Sequence, residues 1–392
     1  MRAFLGAISI TLATAGLAVA NTPCGGPFSS WVEGVKAEAM AKGHDRATVD
    51  AFFKGAQVDQ KVLGADRSQT MFQRTFTEFS RNLISTQRLT KAQQLGRQHK
   101  ALFDRAERDY GIPRGILLSF WAFETDFGAF QGNFNTVNAL VTLAHDCRRP
   151  GLFRPQVLAA LELYKRGQLN PARQTGAWAG EIGMVQMLPA DILARAVDGD
   201  GDGKIDLMTS VPDAILSGAR MLQDHGWRGG QPWLHEVTVP ADLDWSKTGP
   251  HQTLSVADWQ ARGVKGRNGA LGPSGMQASV LLPQGRKGPA FLAYPNFQTL
   301  FEWNKSSVYV LTAAYFATRV EGAPAFAPGK PDEGLTIEQV KDLQRRLQGR
   351  GHDVGNVDGI IGAKTREAVQ KEQARLGLPA DAWPTRDFLN RL

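Results

Sequence analysis

Cysteine is almost missing from this chain: 392 residues contain two, Cys24 and Cys147. That excludes a disulfide-dense scaffold and leaves one possible pair. Low-complexity tracts are also absent, and with 42% hydrophobic and 21% charged residues the composition is that of a folded protein. Beyond residue 20 no stretch is long and apolar enough to span a bilayer. No basic-aromatic cluster of the kind that grips nucleic acid stands out. The net charge of +7 therefore suits anionic polymers in general without naming one.

The first twenty residues stand apart. Arg2 precedes an apolar run over 3–18, followed by the small-x-small pattern Ala18-Val19-Ala20. This reads as a secretory signal peptide cut after Ala20; an uncleaved anchor is the alternative, though the run is short and rich in Ala, Gly and Thr. Export implies oxidising conditions, so Cys24 and Cys147 read as a disulfide. Lipidation of Cys24 is the other reading, but Asn21-Thr22-Pro23 lacks the small apolar residues such a signal carries. The expected location is periplasmic or secreted, soluble after cleavage.

Residues 28–110 read as mainly helical, with helices at 28–42 and 47–53 and one long polar-faced helix at 89–110. "GIPRG" marks a new start, with Pro113 in the first turn of a helix over 114–123. Further helices are expected at 136–144, 156–165, 211–225 and 305–320. Between 232 and 292, "WLHEVTVP", "ASVLLPQG" and "PAFLAY" read as strands of a small β insertion. Residues 321–334 hold three prolines and three glycines and read as a linker. Val340, Leu343 and Leu347 then open a compact helical unit over 335–392.

The 114–123 helix is apolar on every side, and Glu124 stands at its end. Burial disfavours the charged form, so Glu124 is expected to carry a raised pKa suited to a general acid; an arginine-paired core glutamate is the plainer alternative. "GAWAGEIGMVQMLPADIL" places Gln186 three residues after Gly183 inside an apolar run. A buried amide needs partners, and Gln186 serves either the core or a cleft. Trp303 and Asn304 offer an aromatic platform and a polar hook. "DGDGDGKIDLMT" matches EF-hand positions 1, 3, 5, 7 and 9 with Asp198, Asp200, Asp202, the carbonyl of Lys204 and Asp206, with Gly203 at the sharp turn. Thr209 stands where a bidentate glutamate closes such a site, and a solvated acidic turn is the competing reading.

Taken together, "ETDFG", "GEIGMVQMLP", the aspartate loop and "NFQTLFEWNKSS" resemble the lytic murein transglycosylases of the B type, over roughly 28–320. The tail, with its L-Q-x-x-L, D-G-x-x-G-x-x-T and late G-L-P elements, resembles a three-helix peptidoglycan-binding domain. The resemblance implies a mainly α, lysozyme-like catalytic domain over 25–320 and a C-terminal binding domain over 335–392. It implies Glu124 as the single catalytic acid, Gly183, Met184, Gln186, Trp303 and Asn304 as substrate-binding, and Asp198, Asp200, Asp202, Lys204 and Asp206 around a structural Ca2+. No cofactor is needed for chemistry, and the partner is the peptidoglycan glycan strand.

Departures accompany the resemblance. Met184 and Met187 replace aromatics often found beside the glutamine, Trp303 stands where tyrosine is common, and Glu372 takes a place usually filled by an aromatic. The implied reaction is intramolecular: one glutamate protonates the glycosidic oxygen, then takes the proton of the muramoyl C6 hydroxyl, giving a 1,6-anhydro end. Two rivals are a hydrolytic muramidase, with Asp126 or Asp146 activating water, and a non-catalytic wall-binding protein.

Overall fold

Helix Arg114–Thr125 is buried along nearly its whole length, with nine of its twelve residues shielded from solvent. A helix apolar all round needs neighbours all round, and the surrounding helices supply them. The computed structural model describes residues 23–67 and 74–392. The expected signal peptide lies outside the described residues. No described helix is long and apolar enough to cross a membrane.

The Arg114–Thr125 helix starts after Pro113, which sits at its cap rather than in its first turn, and ends where Asp126 turns left-handed. The Phe127 amide closes it onto the Trp121 carbonyl at 2.9 Å. Ser307–Val320 lies alongside. Gly115 permits that approach, since a Cβ there would lie 2.7 Å from the Ala317 carbonyl oxygen.

The expected helix over 89–110 is instead two, Thr86–Gln98 and Lys100–Tyr110, broken at His99. Ala92, Gly96, Phe103 and Ala106 are buried and fall on one helical stripe straight through the break. Periodicity therefore could not reveal it; the interruption is tertiary, with the His99 ring set against Trp121 at 6.1 Å. Elsewhere the helices Phe28–Ala41, Arg46–Phe53, Thr136–His145, Val211–Asp224 and Ser307–Val320 follow the pattern closely. Pro150–Lys165 begins six residues before its expected start and carries Pro155 within it.

Cys24 and Cys147 form a disulfide with a Cα–Cα distance of 5.2 Å, which leaves Cys24 no thiol to carry a lipid. Next to it, Arg148 and Arg149 both bond the buried Asp66 carboxylate.

The β region is a five-stranded antiparallel sheet in the order Leu254–Ser255, Gln277–Leu281, Ala290–Ala293, Leu234–Thr238, Lys265–Gly266. Its three longer strands are those read from the sequence; the outer two have two residues each, too few to alternate visibly. It has its own core, built on Trp245, Trp259, Val280, Leu292 and Tyr294.

Residues 321–334 contain no helix or strand but are pinned in place. The Ala327 amide donates to Glu236 at 2.7 Å, and Lys330 to the Lys287 carbonyl at 2.8 Å. The tail folds as Ile337–Gly349, Ala363–Arg375 and Arg386–Asn390 around Leu343, Leu347, Val369 and Phe388. It docks on the β region, where Gln370 donates to the Trp245 and Thr248 carbonyls at 3.0 and 2.9 Å. Arg286 pairs with Asp381 at 3.2 Å.

Candidate active site

Glu124 stands one residue before the end of its helix, and two neutral donors converge on one of its oxygens. The Tyr309 hydroxyl donates to Oε1 at 2.5 Å and the Trp303 indole N–H to the same atom at 3.0 Å. Oε2 takes no hydrogen bond from the described residues. Burial raises the Glu124 carboxyl from its ordinary value to about 7, against the lowering effect of those two hydrogen bonds, and the charge of Glu181 adds to the rise. Tyr309 is driven well above the usual phenol range by burial and by Glu124 beside it.

Trp303 is not an open platform. One face stacks on Phe120 at 4.1 Å, and its edge meets Gly218, where a Cβ would come within 3.2 Å of the ring. Its N–H serves Glu124 instead. Asn304 accepts the Ser306 amide at 2.9 Å through Oδ1, which leaves its Nδ2 without a protein acceptor.

The Gly183–Gln186 segment is tied directly to the Arg114–Thr125 helix. Thr125 donates its hydroxyl to the Met184 carbonyl at 2.7 Å, while the Met184 amide donates to the Leu207 carbonyl at 2.8 Å. Gly183 has φ +85, and a Cβ there would lie 2.5 Å from that of Leu207, so only glycine fits. Met184 is buried beneath Gly128. Gln186 itself takes a left-handed φ of 53°. Its Nε2 donates to the Gly183 carbonyl at 2.7 Å and the Gln131 carbonyl at 3.4 Å, while Oε1 receives no protein donor.

Two participants escaped the sequence reading. Tyr309 sits inside the segment that carried Trp303 and Asn304, but a lone tyrosine on an apolar helix gave no sign of which way its hydroxyl points. Glu181 had a signal identical in kind to that of Glu124, a single acid among Gly, Ala, Ile and Met. Burial raises its pKa as well, with the Arg149 charge opposing, and its Oε2 has no partner. The carboxylates weighed as a hydrolytic base are engaged elsewhere: Asp126 with Arg88 at 3.1 Å and Asp146 with Arg67 at 2.9 Å.

In the aspartate loop, carboxylate oxygens of Asp198, Asp200 and Asp202 lie within 4.8 Å of one another. Asp206 turns away from them. It accepts the Met208 and Thr209 amides at 2.9 and 3.0 Å and the Thr209 hydroxyl. The brace of the loop is Asp213, buried and unforeseen, which accepts the Gly199 and Asp206 amides at 2.7 Å each. Three converging hard oxygens suit calcium or a similar cation; the outward Asp206 makes the set smaller than the sequence implied.

Known proteins share this fold. The Transglycosylase SLT domain family model matches residues 27–318, and a peptidoglycan binding domain model matches 336–392. SltB3 from Pseudomonas aeruginosa, solved with NAG-anhNAM-pentapeptide, is 38% identical, with a TM-score of 0.85 over 94% of this chain and 99% of that one. The Escherichia coli lytic transglycosylase Slt35, solved with calcium, is 25% identical, with a TM-score of 0.66 over 78% of this chain and 97% of its own. Membrane-bound lytic murein transglycosylase B of Escherichia coli is 31% identical over 218 residues, 55% of this chain; the match spans 58% of that relative's length. With its catalytic region and tail both matched, this chain belongs to the SLT transglycosylase family and carries a C-terminal peptidoglycan-binding domain.

Proposed function

We propose that the protein is a lytic transglycosylase that cleaves the β-1,4 bond between N-acetylmuramic acid and N-acetylglucosamine in peptidoglycan. The observation that carries this reading is Glu124, a carboxyl raised to about 7 and held through one oxygen by two neutral donors. The free Oε2 gives its proton to the glycosidic oxygen as the bond to the muramoyl anomeric carbon breaks. The muramoyl N-acetyl oxygen stabilises the positive charge that develops there. The Glu124 carboxylate then takes the proton of the muramoyl C6 hydroxyl, whose oxygen bonds to the same carbon. The proton returns to Glu124, and no water is consumed. An intramolecular nucleophile supplies by proximity what a second carboxylate supplies in a hydrolase. Glu181 is a poor base for water because burial favours its neutral form.

Gly183 and Met184 shape the floor of the cleft, and Gln186 Oε1 and Asn304 Nδ2 are the polar groups left for the substrate. The C-terminal domain anchors the strand. Asp198, Asp200 and Asp202, with the Lys204 carbonyl, hold a structural calcium ion. Slt35 was solved with calcium, which supports this reading. The protein acts outside the cytoplasm, after export through its N-terminal segment.

Mass spectrometry of sacculi digested by the wild type and by Glu124→Gln tests the reading. Anhydro-ended muropeptides from the wild type alone are expected. Reducing ends would indicate a hydrolase, and bound but uncut sacculi a wall-binding protein.

A further inference from the structure

Phe130 is 74% exposed, more than any other large hydrophobic side chain among the described residues. A single exposed apolar residue is ordinary by itself. The loop that presents it is not.

Four of the seven residues from Asp126 to Gly132 take left-handed backbone conformations, costly at the two that are not glycine. Asp126 and Phe127 have φ of 49° and 63°, followed by Gly128 at 84° and Gly132 at 88°. A Cβ at Gly132 would fall 2.1 Å from the Gly176 carbonyl oxygen. Of the four non-glycine residues with positive φ among those described, Asp126, Phe127 and Gln186 border this cleft. Strain of this kind persists only where the surroundings enforce it, and it gathers at ligand clamps.

The enforcement is visible on both sides. Arg88 donates to the Asp126 carboxylate at 3.1 Å, and the Lys91 ammonium lies over the Phe127 ring at 5.0 Å. Gln131 donates to the Gly128 and Met208 carbonyls at 3.2 and 2.8 Å. Phe127 points inward against Trp121, with ring centres 5.7 Å apart, whereas the Phe130 ring contacts no other ring among the described residues. The Phe130 amide donates to the carbonyl of Thr125, the neighbour of Glu124, at 2.9 Å. On the other side the Gln131 carbonyl accepts Gln186. Phe130 therefore sits on the loop that leaves Glu124, one residue from a carbonyl that accepts Gln186.

We propose that Phe130 is a glycan-binding platform whose exposed ring stacks on the apolar face of a pyranose unit of the strand lying across Glu124 and Gln186. This rests on reading the site as a peptidoglycan cleft. One face of such a sugar carries C–H bonds and little else, so covering it with a ring held in place removes apolar surface from water at small entropic cost. The fixed loop supplies the preorganisation.

The test uses the full chain with Glu124→Gln and a peptide-free tetrasaccharide of alternating N-acetylglucosamine and N-acetylmuramic acid, titrated by calorimetry. Adding Phe130→Ala is expected to weaken binding about tenfold, and Phe130→Trp to restore it, with the melting temperature unmoved. In the active protein Phe130→Ala is expected to raise KM for long strands and leave kcat within about twofold. Unchanged affinity in Phe130→Ala overturns the proposal, as does failure of Phe130→Trp to rescue. A hydrolytic product from the wild type would sink the transglycosylase reading and leave this result standing.

Discussion

Glu124 and Glu372 are both glutamates on helices with little solvent around them, and the protein treats them in opposite ways. Around Glu124 the donors are neutral, a phenol and an indole, and burial outweighs them, so the carboxyl holds its proton up to about 7. Glu372 is only 5% exposed, yet its pKa is lowered, first by the hydrogen bond from Arg375 and, against burial, by His352. Arg375 lies at 2.8 Å, His352 at 2.9 Å and Arg350 at 3.7 Å. Burial pushes both groups the same way; the charge of the partners decides the outcome. The first arrangement keeps a carboxyl protonated close to neutrality. The second makes a fixed anion inside an ion-pair network.

The largest expected effect breaks the first half of this comparison. Glu124→Gln should lower kcat by about 10³-fold, within the range for loss of a general acid, while sacculi binding persists. Tyr309→Phe sharpens it. The hydroxyl lowers the Glu124 pKa, so its removal raises that pKa, and the alkaline decline of kcat/KM should move to higher pH. A decline moving to lower pH would show that the hydroxyl stabilises the protonated form.

Stability should separate the two glutamates by sign. Glu124 has a folded value above its unfolded one, so its contribution is fully present below about 4.5 and is lost as pH rises through about 7. Glu124→Gln should therefore gain on the wild type over that window in chemical denaturation. Glu372 has a depressed folded value, so its contribution is present above 4.5 and is lost as pH falls through that folded value. Glu372→Gln should cost about 1–3 kcal/mol at neutral pH and progressively less in acid. The smallest effect concerns the aspartate loop: calcium should raise the wild-type melting temperature by a few degrees, and Asp200→Asn should abolish the rise.

The burial of Glu124 was legible because seven of the eight residues before it are apolar, and a helix of that kind has no solvent face. Gly183 and Gln186 were legible because glycine and a lone amide in an apolar run need a reason. The three longer strands and the C-terminal helices followed from alternation and spacing. What escaped depends on contacts distant in sequence. The break at His99 leaves the apolar stripe intact. The stacking of Trp303 on Phe120, the reach of Tyr309 to Glu124 and the bracing of the aspartate loop by Asp213 each join segments that periodicity treats separately. Glu181 was legible by the rule that found Glu124.

The account turns on one quantity, the protonation of Glu124 near neutrality. Titration of the glutamate side-chain carboxyls by 13C NMR, with Glu124 assigned by comparison with Glu124→Gln, measures it directly. A midpoint near 7 is the expected result. A midpoint near 4.5 would mean that the site holds a carboxylate at neutral pH and has no acid with which to begin the reaction.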